Sequence, residues 1–326
     1  MKSRSLDKPI TPKLSDYMNG HIEGHVHSPA HSREFTLDWM EGRNKGIGCR
    51  IPCLYDSDIR LLPGSLAIWA GINGHGKSAL LQQFCLWWSA GKFTDKPEKV
   101  LFWSPEMIFH VQVERMIKQS LGVDEPTREA SNYTMDYLDG KVAIYDKEEN
   151  VTAKEVAALA RWAADNGYTQ LVVDSLSMVN LKVVRKDDLN LNEQSFVRML
   201  KEAARSTGLH IHLVVHMRKG ENEYRHTGKM DIKGAGEITD MADYVFIIER
   251  NVKKEEALEK NPDDENHLKK PDGSVRCIKN RYDPVHRSLP LWFCGKMFTF
   301  RKGRRTPIPR LIEPTREDLK RGYEPK

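Results

Sequence analysis

Gly71-Ile72-Asn73-Gly74-His75-Gly76-Lys77-Ser78 spaces its glycines, lysine and hydroxyl as a phosphate-cradling loop does. Glycine lets backbone N–H groups converge on phosphate oxygens, and a helix beginning there adds the positive end of its dipole. Gly71, Asn73, Gly74, His75 and Gly76 would form the cradle, with Ala79 in the first turn behind it. Lys77 would reach the β- and γ-phosphates, and the Ser78 hydroxyl would ligate Mg2+. The cofactors expected are ATP, or another NTP or dNTP, and Mg2+. The alternative is a Gly-rich turn without chemistry. The apolar run before the loop and the helical pattern after it argue against that.

Magnesium also needs a carboxylate, and Asp174 ends the apolar run Leu171-Val172-Val173. In a parallel sheet the carboxyl ends of strands gather where ligands bind, so Asp174 would face Ser78 across the metal. The plainer reading is an acid that merely ends a strand. Hydrolysis wants a group that orients water, and Glu106 follows the apolar run ending at Trp103. An acid there could instead simply favour the first turn of a helix opened by Ser104 and Pro105. His216 ends another apolar run, either as a γ-phosphate sensor or as a solvated strand end.

These groups need a frame. Residues 65–71, 99–103, 141–146, 170–175, 210–216 and 243–250 read as buried strands. Helical segments are expected over 34–42, 79–91, 104–121, 156–167 and 190–206, with Thr152 and Glu155 at capping-box spacing before the fourth. Strands alternating with helices predict an α/β fold, a mostly parallel twisted sheet with helices on both faces. The runs 274–283 and 289–300 look like a closing pair, antiparallel at the edge. Residues 252–273 are charged and without apolar periodicity, and read as a solvated insertion. The expected organisation is an arm over 1–60, a core domain over 61–300 and a basic tail over 301–326.

The 326 residues carry a net charge of only +5, a weak pointer to nucleic acid. The last 26 residues alone contribute nine Lys/Arg against four acids, an excess as large as the whole chain's. Five irregularly spaced cysteines do not form a disulfide framework, and no run is long enough to span a bilayer. The expectation is a cytoplasmic protein without a membrane partner. His21, His25, His27 and His31 precede Cys49 and Cys53, but their spacing is too loose for a recognisable zinc site.

Taken in order, "GINGHGKS", "FWSPEM", "LVVDSLSM", "VVHMRKG", "MDIKGAGEITDMADYVFIIERN" and "IKNRYD" resemble the hexameric replicative DNA helicases. These are the DnaB-type enzymes, the helicase half of phage primase-helicases and Twinkle. The resemblance covers residues 60–300 and implies a RecA-like P-loop ATPase core. It implies Glu106 as the water-activating base, His216 as phosphate sensor and Arg250 near the nucleotide base. Arg281 becomes an arginine finger acting on the neighbouring subunit, with Lys279 as its partner. Residues two apart on a strand share a face, which agrees with a paired role; two surface cations protecting an edge strand is the rival reading. Residues 231–236 become part of a DNA-facing loop. The arm, through Phe35, Leu37 and Trp39, would dock on an adjacent subunit. Two departures stand out: the stretch before residue 61 leaves no room for a primase, and the tail is basic where an acidic one is expected.

Single-stranded DNA is held by cations that track phosphates. Lys182, Arg185 and Lys186 form one cluster; Arg218, Lys219, Arg225, Lys229 and Lys233 form a second. Gly234 and Gly236 would allow close backbone approach beside Lys233. Solvated loop charge is the alternative for any one of them. The sequence therefore points to a phage- or prophage-type motor of DNA replication. It would form a homo-oligomeric, hexameric ring that hydrolyses ATP, translocates on single-stranded DNA, with 5′ to 3′ polarity implied by the family, and unwinds the replication fork. Partners would include a separate primase, polymerase or single-strand-binding protein. The rivals are a RecA/RadA-like recombinase that forms filaments, and a non-motor DNA-binding ATPase such as a loader.

Overall fold

A computed structural model describes residues 29–41, 49–50, 59–94, 96–147, 149–181, 188–217, 231–232, 235–283, 287–315 and 318. The chain divides into two compact units, residues 1–45 and 46–326. In the first, a 3-10 turn at Pro29–Ser32 leads into helix α1 (Arg33–Met40), where Leu37 and Met40 are exposed.

The second unit is built on a nine-stranded sheet. The strands are β3 (Leu66–Gly71), β4 (Val100–Trp103), β5 (Val142–Ile144), β6 (Gln170–Val173), β7 (His210–His216), β8 (Tyr244–Arg250), β9 (Gly273–Asn280), β10 (Arg287–Cys294) and β11 (Thr299–Arg301). Their spatial order is β11-β10-β9-β8-β3-β7-β6-β4-β5. The six from β8 to β5 are parallel; β9, β10 and β11 extend the sheet antiparallel beyond β8. A separate ladder joins β1 (Cys49–Arg50) to β2 (Arg60–Leu61).

Helices α2 (Lys77–Ser89), α3 (Phe109–Leu121), α4 (Arg128–Leu138), α5 (Ala153–Asp165), α6 (Asp188–Thr207) and α7 (Ala235–Met241) accompany the parallel strands. Side chains alternate along a strand, so β3 feeds both faces. Ala67 and Trp69 join α2 and α3 in one core, while Leu66, Ile68 and Ala70 join α5 and α6 in the other. Burial on both sides explains why the central strands read as unbroken apolar runs. No helix among the described residues is long and apolar enough to cross a membrane.

Three expectations need correction, and one helix was not foreseen. Helix α3 begins at Phe109, not at Ser104, because the Ser104 hydroxyl donates to Asp174 and residues 104–107 close a turn, Met107 N to Ser104 O at 3.2 Å. Glu106 thus sits in a turn rather than in a helix's first turn. Helix α4, capped by Thr127 on Ala130 N, was not anticipated. The stretch 252–273 holds two helices, α8 (Val252–Lys260) and α9 (Glu265–Leu268), capped by Asn251 and Asp264. Their surfaces are nearly all polar, which hid them from a search for apolar period. Lys254 is buried and anchors them through Asp272 Oδ1 at 2.6 Å. Finally, the tail does not leave the core at residue 301: Leu311 and Ile312 are buried, and both backbone N–H groups donate to Ser120 O at the end of α3.

Candidate functional site

The phosphate loop joins β3 to α2 as expected. Gly71 lies so close to β8 that a Cβ there would meet Ile248 O at 2.6 Å. Gly76, at φ 80°, is in the left-handed region that favours glycine, and a Cβ would meet the Phe300 ring at 2.9 Å. Lys77 is buried, and its Nζ donates to Ile72 O at 3.1 Å. Burial pushes its ammonium pKa down, opposed by the carboxylates of Asp174 and Glu106. Asn73 and Gly74 stand exposed at the loop tip. Ala79 is buried in the first turn, its carbonyl accepting from Gln119 Nε2 at 2.8 Å.

Parallel pairing brings the ends of β4, β6 and β7 to the same edge, and with them Glu106, Asp174 and His216. Asp174 is 5% exposed, and its Oδ2 accepts from Ser104 Oγ at 3.1 Å. Burial raises its pKa, opposed first by a hydrogen bond from Ser78. A hydroxyl and a buried carboxylate in contact form an oxygen donor pair that suits Mg2+, which takes one or two protein oxygens and fills the rest with phosphates and water. Glu106 Oε1 accepts from Ser175 Oγ at 2.6 Å and from His216 Nε2 at 3.3 Å, with Ser177 Oγ at 3.4 Å. The His216 hydrogen bond, helped by Ser175 and opposed by burial, holds the Glu106 carboxyl down at about 2.

Arg250 reaches the loop from the end of β8. Its Nη1 donates to Gly74 O at 3.3 Å, its backbone N donates to His75 Nδ1 at 3.2 Å, and its Nε is held by Glu255 at 2.8 Å. Burial, then the charges of Arg250 and Lys77, lower the His75 pKa and favour the neutral ring.

Several site residues were not foreseen. Ser104, Ser175 and Ser177 bind the two carboxylates, yet a hydroxyl carries no spacing rule. Phe300 covers Gly76, and Gln83 fixes it from both sides: Gln83 Nε2 donates to Phe300 O at 2.9 Å and Phe300 N donates to Gln83 Oε1 at 2.7 Å. Phe293, 40% exposed and 4.7 Å from the Phe300 ring, lies near the end of β10, paired with Phe300 of β11, at the same sheet edge. The aromatic content of "LWFCGKMFTF" was the one available signal.

Lys279 and Arg281 lie elsewhere. Lys279 pairs with Val245 near the start of β8, and Arg281 N donates to Asp243 O at 2.9 Å. They sit at the opposite edge of the sheet from the phosphate loop, separated by roughly 17 Å of strand β3. The two cations do share a face: Lys279 Nζ donates to Thr239 O and Asp240 O, both at 2.8 Å, and Arg281 donates to Asp240 O at 2.9 Å. Strand β9 is internal to the sheet, between β8 and β10, so protection of an edge does not explain them. Lys182, Arg185, Lys186, Arg218, Lys219, Arg225, Lys229, Lys233 and Gly234 lie outside the described residues, as do His21, His25, His27 and Cys53. Gly236, expected in a loop, falls in the first turn of α7.

A triphosphate loop on a central parallel strand, with carboxylates on neighbouring strand ends, defines a P-loop nucleotide-binding protein of RecA-like fold. The sequence matches the family described as "AAA domain" over residues 36–222, more than half of the chain, and the chain belongs to that family. No curated protein matches it. Among solved structures it is similar to one described as an ATPase domain, at TM-score 0.68 and 14% identity over 84% of this chain and 98% of that one. It is also similar to a DnaB-like replicative helicase solved with its interactions with primase, at TM-score 0.65 and 16% identity over 90% of this chain and 72% of that one. At such identities the likeness establishes the fold.

Proposed function

We propose that this chain is the ATPase core of a ring-forming replicative DNA helicase that moves on single-stranded DNA. The observation that carries this reading is the split of the catalytic set across the sheet. Lys77, Ser78, Glu106, Asp174 and His216 gather at one edge, and Lys279 and Arg281 at the other. A cation so far from its own phosphate loop serves a nucleotide only on another copy, and a closed ring gives every copy such a neighbour.

Within that reading Lys77 and the loop amides hold the β- and γ-phosphates. Ser78 and Asp174 hold Mg2+, which neutralises charge on the phosphates when bound. Glu106, fully ionised at neutral pH, orients the attacking water and accepts its proton as the bond to phosphorus forms. His216 donates to Glu106; a γ-phosphate beside it would offer a competing acceptor, which would free Glu106 for water. Arg250 and the exposed Phe293 ring flank the loop on the side away from Glu106, suited to a nucleobase. Arg281, supplied by the neighbour, stabilises charge that develops on the leaving phosphates. The cationic loops hold single-stranded DNA.

The test is single-strand-stimulated ATP turnover and fork unwinding by wild type, Lys77→Ala, Glu106→Gln and Arg281→Ala. Each variant is expected to lose about a hundredfold or more of turnover. Mixed assemblies of Arg281→Ala with Lys77→Ala recover some turnover, because one interface in the mixture joins an intact loop to an intact finger. Open filaments in particle images, or full turnover by an isolated copy, would overturn the reading.

A further inference from the structure

The cation pair is held by a buried acid. Asp243 is fully buried between α7 and β8. Its Oδ1 is 3.1 Å from Arg281 Nε and accepts from Tyr282 Oη at 3.3 Å. Its Oδ2 accepts from Leu66 N, the first residue of β3, at 2.8 Å and from Lys201 Nζ on α6. Asp243 therefore ties Arg281 to the base of the strand that carries the phosphate loop, and to α6. Arg281 and Lys279 also bond the last carbonyls of α7. Both helices begin where the cationic stretches end: α6 follows residues 182–187, and α7 follows residues 233–234. Gln194 of α6 is hydrogen-bonded to Glu237 of α7, so the two helices are fastened together upstream of the cluster as well.

We infer that Asp243 and Lys201 are positioning residues for Arg281, which join it to the two helices leading from the proposed DNA-contacting stretches. The inference rests on the ring reading above. Strand binding that moves the N-terminal end of α6 or α7 shifts Lys201, or the α7 carbonyls, against Asp243. Because Asp243 is buried and its oxygens are shared among four donors, Arg281 follows. Ion-pair partners without water between them respond to displacements of a few tenths of an ångström, and a misplacement of about 1 Å costs a catalytic group on the order of a hundredfold. DNA bound to one subunit would in this way set the turnover of the site on the next.

Lys201→Met keeps the aliphatic stem and removes the ammonium; Asp243→Asn keeps shape and removes the charge. Full-length assemblies are compared for affinity for a non-hydrolysable ATP analogue, affinity for an oligodeoxythymidine strand, and kcat and KM of strand-stimulated turnover. The expected result for Lys201→Met is unchanged affinity for the strand, an analogue affinity no weaker than that of Arg281→Ala, and a kcat about tenfold or more lower. Mixing it with Lys77→Ala restores turnover as Arg281→Ala does, since the lesion lies on the finger side of the interface. Wild-type kcat in Lys201→Met, or a loss that Lys77→Ala subunits do not rescue, overturns the inference. If Asp243→Asn does not fold, Lys201→Met decides alone. Full turnover by Arg281→Ala would instead sink the ring reading itself, so the two failures are told apart.

Discussion

Glu106 is the group whose chemistry depends most on its immediate neighbours. Its carboxyl sits at about 2 because His216 and Ser175 donate to the charged form, against the opposing effect of burial. Removing the imidazole leaves burial with less to oppose it, so in His216→Ala the midpoint should rise from about 2 toward or past the ordinary 4.5. A depressed folded-state pKa stabilises the fold above the ordinary value, and that contribution is lost as the pH falls through about 2. In the variant, with the midpoint back near the ordinary value, that contribution is largely gone at every pH, and the acid limb of turnover moves up with the midpoint. Carbon NMR of labelled glutamate side chains reads the midpoint directly; a value still near 2 would show that the serines, not His216, hold it. At this scale the sequence was legible where a spacing rule exists. Lys77, Ser78, Asp174 and Glu106 could be singled out because strand ends and glycine spacing mark them, and the fold brings them to one sheet edge. Ser104, Ser175 and Ser177 were not, because a hydroxyl becomes informative only once the chain has brought a carboxylate to it.

Among the elements, β11 shows how the phosphate loop is kept in shape. Phe300 lies on Gly76, and its two backbone groups are bonded to one side chain, Gln83 of α2. Gln119 of α3 adds a second tie, donating to Phe298 O at 2.8 Å while also holding Ala79 O. Gln83→Leu keeps the volume and leaves two buried backbone groups of Phe300 without that partner, which should cost about 2 to 4 kcal/mol. Thermal or denaturant unfolding measures the loss, and amide exchange at Phe300 should quicken before the central strands open. A variant as stable as wild type, with Phe300 still protected, would mean that packing alone holds β11. The parallel strands were legible because burial on both faces makes them continuous apolar runs. Helices α8 and α9 were not, since each is held by a polar cap rather than an apolar stripe; α4 does pack Ala130, Tyr133, Tyr137 and Leu138 on the core, but small and polar residues between them obscure the stripe. The start of α3 was misplaced for a related reason: Ser104 looks like a cap in sequence, but in the fold its proton goes to Asp174.

For the whole molecule, a shared site makes nucleotide binding and assembly reciprocal. If Arg281 of one copy contacts the nucleotide held by Lys77 of another, nucleotide favours the assembled form, and assembly raises nucleotide affinity by the same factor. Such a contact would have to come from another copy, since no motion within one copy closes roughly 17 Å of strand. A titration with a non-hydrolysable ATP analogue should therefore give an apparent Kd that falls as protein concentration rises through the range in which copies associate. The thermal midpoint gained from saturating analogue should rise over the same range, because ligand stabilises by RT ln(1 + [L]/Kd), about 2.7 kcal/mol at a hundred times Kd. Arg281→Ala should flatten the concentration dependence toward the affinity of a lone copy without abolishing binding, since Lys77 and the loop amides remain. Sedimentation alongside the titration ties the change in Kd to assembly. An affinity constant across the whole association range, identical in wild type and Arg281→Ala, would place the complete nucleotide site within one chain.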